Sequence, residues 1–443
     1  MERLTIRGPA PPLVGRLRVP GDKSITHRAI LLGALADGTS EIRGYLDGED
    51  CWRTAAACRA LGVEVEGWGS PVLRVHGKGL RGLREAEGIL DAGNSGTTLR
   101  LLSGVLAAQP FLSILTGDTS LCRRPMGRIV EPLRQMGASL WGRAGDQYPP
   151  LAVRGGPLRG IRHESPVASA QVKSALLLAG LYAEGPTTVV EPAPSRDHTE
   201  RILRGFGHQV EVTGRAVTVA SARGLAAVPV EVPGDFSSAA FFVVAASLVP
   251  GSRLTVAGVG LNPTRTGLLE VLQAMGSAVE VQDVREVCGE PVGNLVVTAR
   301  PLRGVSVGGA LIPRLIDEIP ILAVAAASAE GETEIRDAGE LRVKESDRIA
   351  AIASELGRLG ADLTERPDGL AIRGGHPLAG APCSSRGDHR VAMALAVAAL
   401  VARGETRIAD TACVRTSFPG FFSLLRTVAP AADPRVEAAD PDA

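Results

Sequence analysis

The sequence predicts an α/β (α+β) chain of two domains, each built from three βαβαββ units. Three observations lead there. A polar stretch, a ten-to-twelve-residue apolar helix, a Gly or Pro break and a β-prone strand recur in that order six times along the 443 residues. Between those copies recurs an amphipathic helix that ends in Gly and runs straight into a strand. The turn Val-Pro-Gly-Asp occurs at Val19–Asp22 and again at Val232–Asp235, dividing the six copies three and three.

The first copy, VPGDKSITHRAILLGALADG from Val19, sets the pattern. A strand end at Leu17–Val19 stops at Pro20-Gly21, and an apolar run from Ala29 to Ala36 closes at Asp37-Gly38. This is the order of strand, turn, helix start, buried helix and glycine stop. Lys23, Ser24, Thr26, His27 and Arg28 fall in the first turn, where free backbone N–H groups and the positive dipole end favour anions. Alone, the stretch reads equally well as a capped helix start with solvated charges. The parallel copies begin at Gly93 (GNSGTTLR), Ser169 (SAQVKSA), Val232 (VPGDFSS), Asp317 (DEIPILA) and Asp388 (DHRVAMA). Their starts lie roughly 70 residues apart, longer than the common solenoid periods. Helices apolar nearly all round belong at the centre of each domain. The second, amphipathic helices begin at Arg53, Arg128, Thr199, Thr266 and Ile349 and should pack on sheets, while the last unit is cut short at Phe421–Val428.

The domain expectation is therefore residues 21–232 for one domain and residues 1–20 plus 233–428 for the other, with the N-terminal strand joining the C-terminal half. Pro-Gly pairs at both crossings suit hinges that let the domains close on a ligand. Residues 429–443 are small, acidic and Pro-containing, and disorder is expected there.

Composition narrows the function. The chain is 45% hydrophobic and 22% charged, ordinary for a globular protein. Basic and acidic residues both number 48, which argues against a nucleic-acid partner. The longest apolar helices, such as Met393–Ala402, are too short to span a bilayer, so no membrane association is expected. The opening MERLTIRGPAPP has no signal-peptide core, and the six cysteines are scattered without a Cys-x-x-Cys pair. A cytoplasmic protein with reduced thiols, and no metal site, is the expectation. Only four of the basic residues are lysines (Lys23, Lys78, Lys173, Lys344), and three of these fall in the repeat motifs. A compact ammonium does what Arg cannot.

The polar starts carry the candidate chemistry. Asn94-Ser95-Gly96-Thr97-Thr98 offers hydroxyls and a glycine that lets a ligand approach the backbone; Ser169 to Lys173 offers small residues, an amide and a lysine. Each also reads as a plain helix cap. Arg123-Arg124-Pro125 and Arg196 to Glu200 read equally as solvated surface. Asp317-Glu318 stands before an apolar helix, as a cap or as a base. Lys344 and Arg348, four apart, are placed on one face of a helical turn with Glu345 beside them. Asp388-His389-Arg390 opens the last buried helix. Together, cations at the same place in several repeats plus two carboxylates describe a cleft for a small ligand with several negative groups and an acid/base step.

These motifs resemble the enolpyruvyl transferases, in the branch that acts on shikimate 3-phosphate. The resemblance covers residues 4–428 and rests on GDKSITHR at 21–28, GNSGTTLR at 93–100, RRPMGR at 123–128, SAQVKSA at 169–175, RVKESDR at 342–348 and GDHRVAM at 387–393. It implies a two-domain inverse α/β barrel with the active site between the domains, no metal or organic cofactor, and transfer of the enolpyruvyl group of phosphoenolpyruvate to the 5-hydroxyl of shikimate 3-phosphate, on the route to aromatic amino acids. A monomer is expected. By the same resemblance Lys23, Ser24, Arg28, Ser169, Gln171, Arg196, Asp317 and Lys344 bind shikimate 3-phosphate. Lys23, Gly96, Arg124, Gln171, Arg348 and Arg390 hold phosphoenolpyruvate, and Asp317, Glu345 and Lys23 move protons. Bidentate Arg suits carboxylate and phosphate.

One departure stands out: where many members carry a lysine before a (Ser/Thr)-Phe-Pro motif, this chain has Arg415-Thr416-Ser417-Phe418-Pro419. GDKS, SAQVK, RDHTE and NPTR (Asn262–Arg265) resemble the glyphosate-tolerant class, although Gly96 is not the alanine of some tolerant members. The sister enzyme acting on UDP-N-acetylglucosamine carries Lys-Asn in place of Lys23-Ser24 and a reactive cysteine shortly before an Arg-Pro, a position to compare with Cys122. A non-catalytic anion-binding scaffold is the remaining alternative, against which the complete acid/base and Arg set argues.

Overall fold

The computed structural model describes residues 2–438. The chain falls into a central unit, Gly21–Val232 with Val287–Glu290, and a terminal unit made of the residues up to Pro20, Pro233–Glu286 and the residues from Pro291 onward.

Each unit is built around three apolar helices: Lys23–Leu35, Gly96–Leu106 and Ala170–Gly180 in the central unit; Phe236–Leu248, Ile319–Ser328 and His389–Ala399 in the terminal one. They are buried from the first or second turn to the last or next-to-last residue, as helices without a polar face must be. Five of them start at a side-chain cap. Asp22 accepts from the Ile25 amide, Ser95 from Thr98, Ser169 from Val172, Asp235 from Ser237 and Asp388 from Arg390. The Ile319 helix differs: Glu318 gives no side-chain cap, and Pro320 occupies the first turn, where the missing N–H costs nothing. The Glu318 carboxylate is thus not engaged in capping and accepts from the Ser237 hydroxyl instead.

Around the helices lie six four-stranded sheets. Each has the same order: an entry strand parallel to its neighbour, then two antiparallel pairings. In the first, Asp37–Arg43 pairs with Val72–Lys78, which pairs with Glu64–Glu66, and Val230–Glu231 returns to join Asp37–Arg43 in parallel. Leu73 and Val75 point inward and Arg74 outward, the alternation of a sheet covered on one face. The second helices (Glu49–Ala60, Gly127–Gln135, His198–Gly205, Gly267–Ala274, Arg348–Arg358, Phe421–Val428) each lead into the edge strand of their sheet.

The sixth repeat is complete, which corrects two expectations. After Phe421–Val428 the chain forms the strand Arg435–Ala438, and this pairs antiparallel with Glu2–Gly8, which in turn pairs with Gly404–Ala409. The unit is therefore not cut short, and residues 429–438 are not disordered: Ala429 and Ala432 are wholly buried. A four-residue strand whose partner lies at the other end of the chain leaves no local signal. Residues 439–443 lie outside the described residues. A glycine pattern identifies Glu2–Gly8 as the missing third strand. A Cβ at Gly77 would lie 2.1 Å from the Ala36 carbonyl oxygen, and one at Gly374 2.1 Å from that of Ala329, because these glycines close the third strand against the carbonyl end of the core helix. Gly8 does the same in the sixth repeat, 2.2 Å from the Ala399 oxygen.

A second difference concerns Lys344 to Arg348. Gly339–Val343 is a 3-10 turn, and the helix begins only at Arg348, with Asp347 accepting from the Ala350 amide at 3.0 Å. Asp347 takes the capping role, so Lys344 precedes the helix and does not share a face with Arg348 by helical spacing. Among the described residues no helix is long and apolar enough to cross a membrane.

Candidate active site

In the central unit most of the predicted residues lie in the first turns of three core helices, while Arg124 follows the turn Leu121–Arg123 and Arg196 precedes His198–Gly205. Lys23 opens the first, and its ammonium donates to Asp50 at 2.9 Å, both side chains largely buried. Asp50 lies in the first turn of Glu49–Ala60. A hydroxyl chain runs on from there: Thr98 donates to the Asp50 carbonyl at 3.3 Å and exchanges a 2.7 Å hydrogen bond with Thr54, which contacts His27 Nδ1 at 2.7 Å. Burial, and then the charges of Lys23 and Arg28, hold His27 well below the usual histidine value, so it is a neutral packing group.

Arg28 ties helices together. Its Nε donates to Thr199 at 2.6 Å, Nη2 to Ser174 at 2.7 Å and Nη1 to the Ser24 carbonyl at 2.9 Å. Burial lowers its pKa to about 10, partly offset by Glu200 and Asp22; the nearby Arg196 charge pushes in the same direction as burial. Arg28 remains protonated at neutral pH, and Arg196 stands close enough to be felt. Ser169 caps its helix while its own amide donates to Glu191 at 3.0 Å.

Gly96 opens the second core helix against two guanidiniums. A Cβ there would lie 3.0 Å from Arg100 Nη1 and 3.4 Å from Arg124 Nη1. Arg124 donates to Asn94 and Ser120, and Arg100 donates to Gln171 and to the Pro125 carbonyl. Gln171 in turn donates to Thr97 at 2.9 Å. Gly96, Arg124 and Gln171, distant in sequence, thus form one cationic cradle at a helix N-terminus, the kind of place that accepts an anion. Arg100 is a further member of the cradle, beyond those the motifs single out. Its signal was its position one turn beyond Gly96, on the same face.

In the terminal unit three predicted cations meet around the predicted Asp317 carboxylate, and Glu345 joins them through Arg348. Asp317 Oδ1 lies 3.2 Å from Arg348 Nη1 and 3.8 Å from Lys344 Nζ, and Oδ2 lies 3.5 Å from Arg390 Nη2. Arg390 also donates to the Asp317 carbonyl at 3.1 Å. Glu345 reaches Arg348 Nη2 at 2.6 Å. Arg348, 1% exposed, is held from behind by Asp388, which accepts from Nε at 2.8 Å and also from Ser346 at 3.1 Å. Burial pushes the Asp388 carboxyl up, but Arg348 outweighs it and the group titrates below the ordinary aspartate value. Burial likewise acts to lower Arg348, and Asp388, Glu345 and Asp317 more than reverse it. The sequence marks Asp388 only as a helix start, because its partner 40 residues away is invisible locally.

Two motif residues turn out to be structural. Lys173 is buried between Glu191 at 2.9 Å and Glu200 at 2.8 Å. Arg265 of the NPTR motif is buried and donates to Ser237 at 2.6 Å and Asp235 at 3.3 Å, fixing the start of the Phe236 helix. In the C-terminal segment Arg415 pairs with Glu2, and Thr416 donates to the Cys413 carbonyl at 2.8 Å. Among the described residues no group of three His, Cys, Asp or Glu could hold a metal ion.

Residues 8–425 match the sequence profile of EPSP synthase (3-phosphoshikimate 1-carboxyvinyltransferase). The chain belongs to the EPSP synthase family. Among its EPSP synthase relatives, the 3-phosphoshikimate 1-carboxyvinyltransferase of Synechococcus sp. (strain JA-3-3Ab) is 59% identical over 422 residues, covering 94% of this chain and 95% of the relative. That of Gloeobacter violaceus is 59% identical over 421 residues, covering 95% and 98%. A solved EPSP synthase from Acinetobacter baumannii is 43% identical and superposes with a TM-score of 0.88, covering 99% of this chain and 100% of that one. The fold is the two-domain inverse α/β barrel of EPSP synthases, six βαβαββ repeats with three in each unit.

Proposed function

We propose that this chain transfers the enolpyruvyl group of phosphoenolpyruvate to the 5-hydroxyl of shikimate 3-phosphate, releasing phosphate. The observation that carries this reading is the Asp317 carboxylate ringed by Lys344, Arg348 and Arg390, with Glu345 on the same Arg348. Family membership supplies the substrates; that cluster supplies a base among anion-binding cations.

Each substrate carries a phosphate and a carboxylate. Lys23, Ser24, Arg28, Ser169, Gln171, Arg196, Asp317 and Lys344 hold shikimate 3-phosphate, and Lys23, Gly96, Arg124, Gln171, Arg348 and Arg390 hold phosphoenolpyruvate. Addition joins the 5-oxygen to C2 of phosphoenolpyruvate while a proton reaches the C3 methylene and another leaves the hydroxyl. Elimination takes a proton from the new methyl group and expels phosphate, restoring the double bond. Asp317 is the base at the hydroxyl, and Glu345 and Lys23 share the transfers on the phosphoenolpyruvate side. The cations stabilise charge as phosphate leaves, an effect that preorganised groups supply without rearrangement. Action as a monomer belongs to the same proposal, and six free cysteines accord with a reducing, cytoplasmic setting.

A phosphate-release assay with phosphoenolpyruvate and either acceptor tests the reading. Release with shikimate 3-phosphate and none with UDP-N-acetylglucosamine is expected; the reverse overturns it. Glyphosate titrated into the same assay should inhibit weakly against phosphoenolpyruvate, and a submicromolar inhibition constant would contradict the resemblance to the tolerant class.

A further inference from the structure

Behind Ser169 and Arg196 lies a buried charge cluster that the proposed chemistry does not use. Glu191 follows the strand Thr187–Val190, Lys173 sits one turn into the helix Ala170–Gly180, and Glu200 lies in the first turn of His198–Gly205. Lys173 Nζ bridges the carboxylates at 2.9 and 2.8 Å, and all three side chains are at most 3% exposed. The Glu191 carboxylate spans two loop starts: Oε1 accepts from the Ser169 amide at 3.0 Å, and Oε2 accepts from the Ser195 amide at 3.4 Å. Lys173 also donates to the Ser195 carbonyl at 3.5 Å. Beside Lys173 and Glu200, Ser174 and Thr199 share a 2.6 Å hydrogen bond, and both accept from Arg28. Two consecutive residues of one helix are thus stapled to two consecutive residues of the other.

We propose that Glu191 is a positioning residue for the shikimate 3-phosphate subsite, setting the separation of Ser169 from the Ser195-Arg196 segment, with Lys173 and Glu200 fixing its carboxylate. The proposal rests on the reading that Ser169 and Arg196 bind that substrate. A general need for a buried ion pair does not require one carboxylate to grip the backbone on both sides of a subsite. A single carboxylate doing so couples the two ligand-bearing segments, and a buried charge with its partners intact resists displacement.

The test compares KM values for the two substrates and calorimetric binding of shikimate 3-phosphate in the full-length chain. Glu191→Gln turns one oxygen into a donor facing Lys173 or an amide. It should raise the KM and the dissociation constant for shikimate 3-phosphate about tenfold, the worth of one charge-assisted hydrogen bond, with the KM for phosphoenolpyruvate changed less than about twofold. Glu191→Asp keeps the charge against Lys173 but is one methylene too short to grip both amides. It should fold and shift the same KM in the same direction. Ser169→Ala and Arg196→Ala test the underlying reading. If they leave shikimate 3-phosphate binding unchanged, that reading fails. If they weaken it while both Glu191 variants bind normally, the positioning role alone fails. Equal rises in both KM values with a matching loss of thermal stability would reduce Glu191 to a structural group and also overturn the proposal.

Discussion

Asp388→Asn separates two jobs that one side chain performs. Asp388 caps the His389–Ala399 helix by accepting from the Arg390 amide at 2.9 Å, and it pairs with the buried Arg348 at 2.8 Å. Asparagine caps a helix about as well as aspartate, so the cap survives. The charge does not: an amide NH₂ would face the Arg348 Nε–H, donor against donor. Removing one partner of a buried pair costs about 3–5 kcal/mol, and the lower end applies here because Glu345 and Asp317 still face Arg348. The expected loss is about 3 kcal/mol, read as a lowered urea midpoint with an unchanged slope. Its pH dependence gives a second check. The folded carboxyl titrates below its unfolded value of 3.8, so the pairing stabilises fully above 3.8 and is lost as pH falls through the folded value. The difference between native and variant should therefore be full at neutral pH and shrink in acid. The KM for phosphoenolpyruvate should rise as Arg348 loosens. A variant within about 0.5 kcal/mol of the native chain, the range of an ordinary surface change, or a gap that persists unchanged in acid, would refute the pairing argument.

Gly96→Ala places a Cβ 3.0 Å from Arg100 Nη1 and 3.4 Å from Arg124 Nη1, the ends of flexible side chains, so the fold should hold while the cradle shifts. Thermal stability should be unchanged or slightly higher, since alanine is the better helix former, and steady-state kinetics should show a KM for phosphoenolpyruvate raised severalfold; an unchanged KM would remove Gly96 from the cradle. His27→Asn removes a titrating group that is kept neutral by burial. Because the folded-state value lies below the unfolded 6.5, the native chain loses stability as pH falls below 6.5, by up to about 1.4 kcal/mol per pH unit. The variant should show a flatter urea-midpoint profile between neutrality and mild acid, and an equally steep one would show that His27 is not the source.

Much of this fold was legible because each repeat announces itself locally. A capped polar start before an apolar run predicts both the helix and its burial, as the Lys23 and His389 helices show. The closure of the sixth repeat was not, because Arg435–Ala438 finds its partner in Glu2–Gly8 at the opposite end of the chain. The 342–348 segment misled for a different reason: three charged residues at helical spacing look the same whether Asp347 lies inside the helix or caps it, and here it caps. In the site, helix-start cations were visible as a set. What each one leans on was not: Asp50 for Lys23, Asp388 for Arg348, and Arg100 for Gln171 are distant in sequence. Lys173 shows the converse. Its place in a ligand-rich motif resembled that of Lys23, and only the two buried glutamates reveal it as a core ion.

The role of Asp317 is tested most directly by Asp317→Asn, measured by single-turnover phosphate release alongside calorimetric binding of each substrate. Loss of a general base at the 5-hydroxyl should slow turnover by about 100-fold or more, with both substrates still bound. Near-full turnover in a variant that binds both would contradict the assignment.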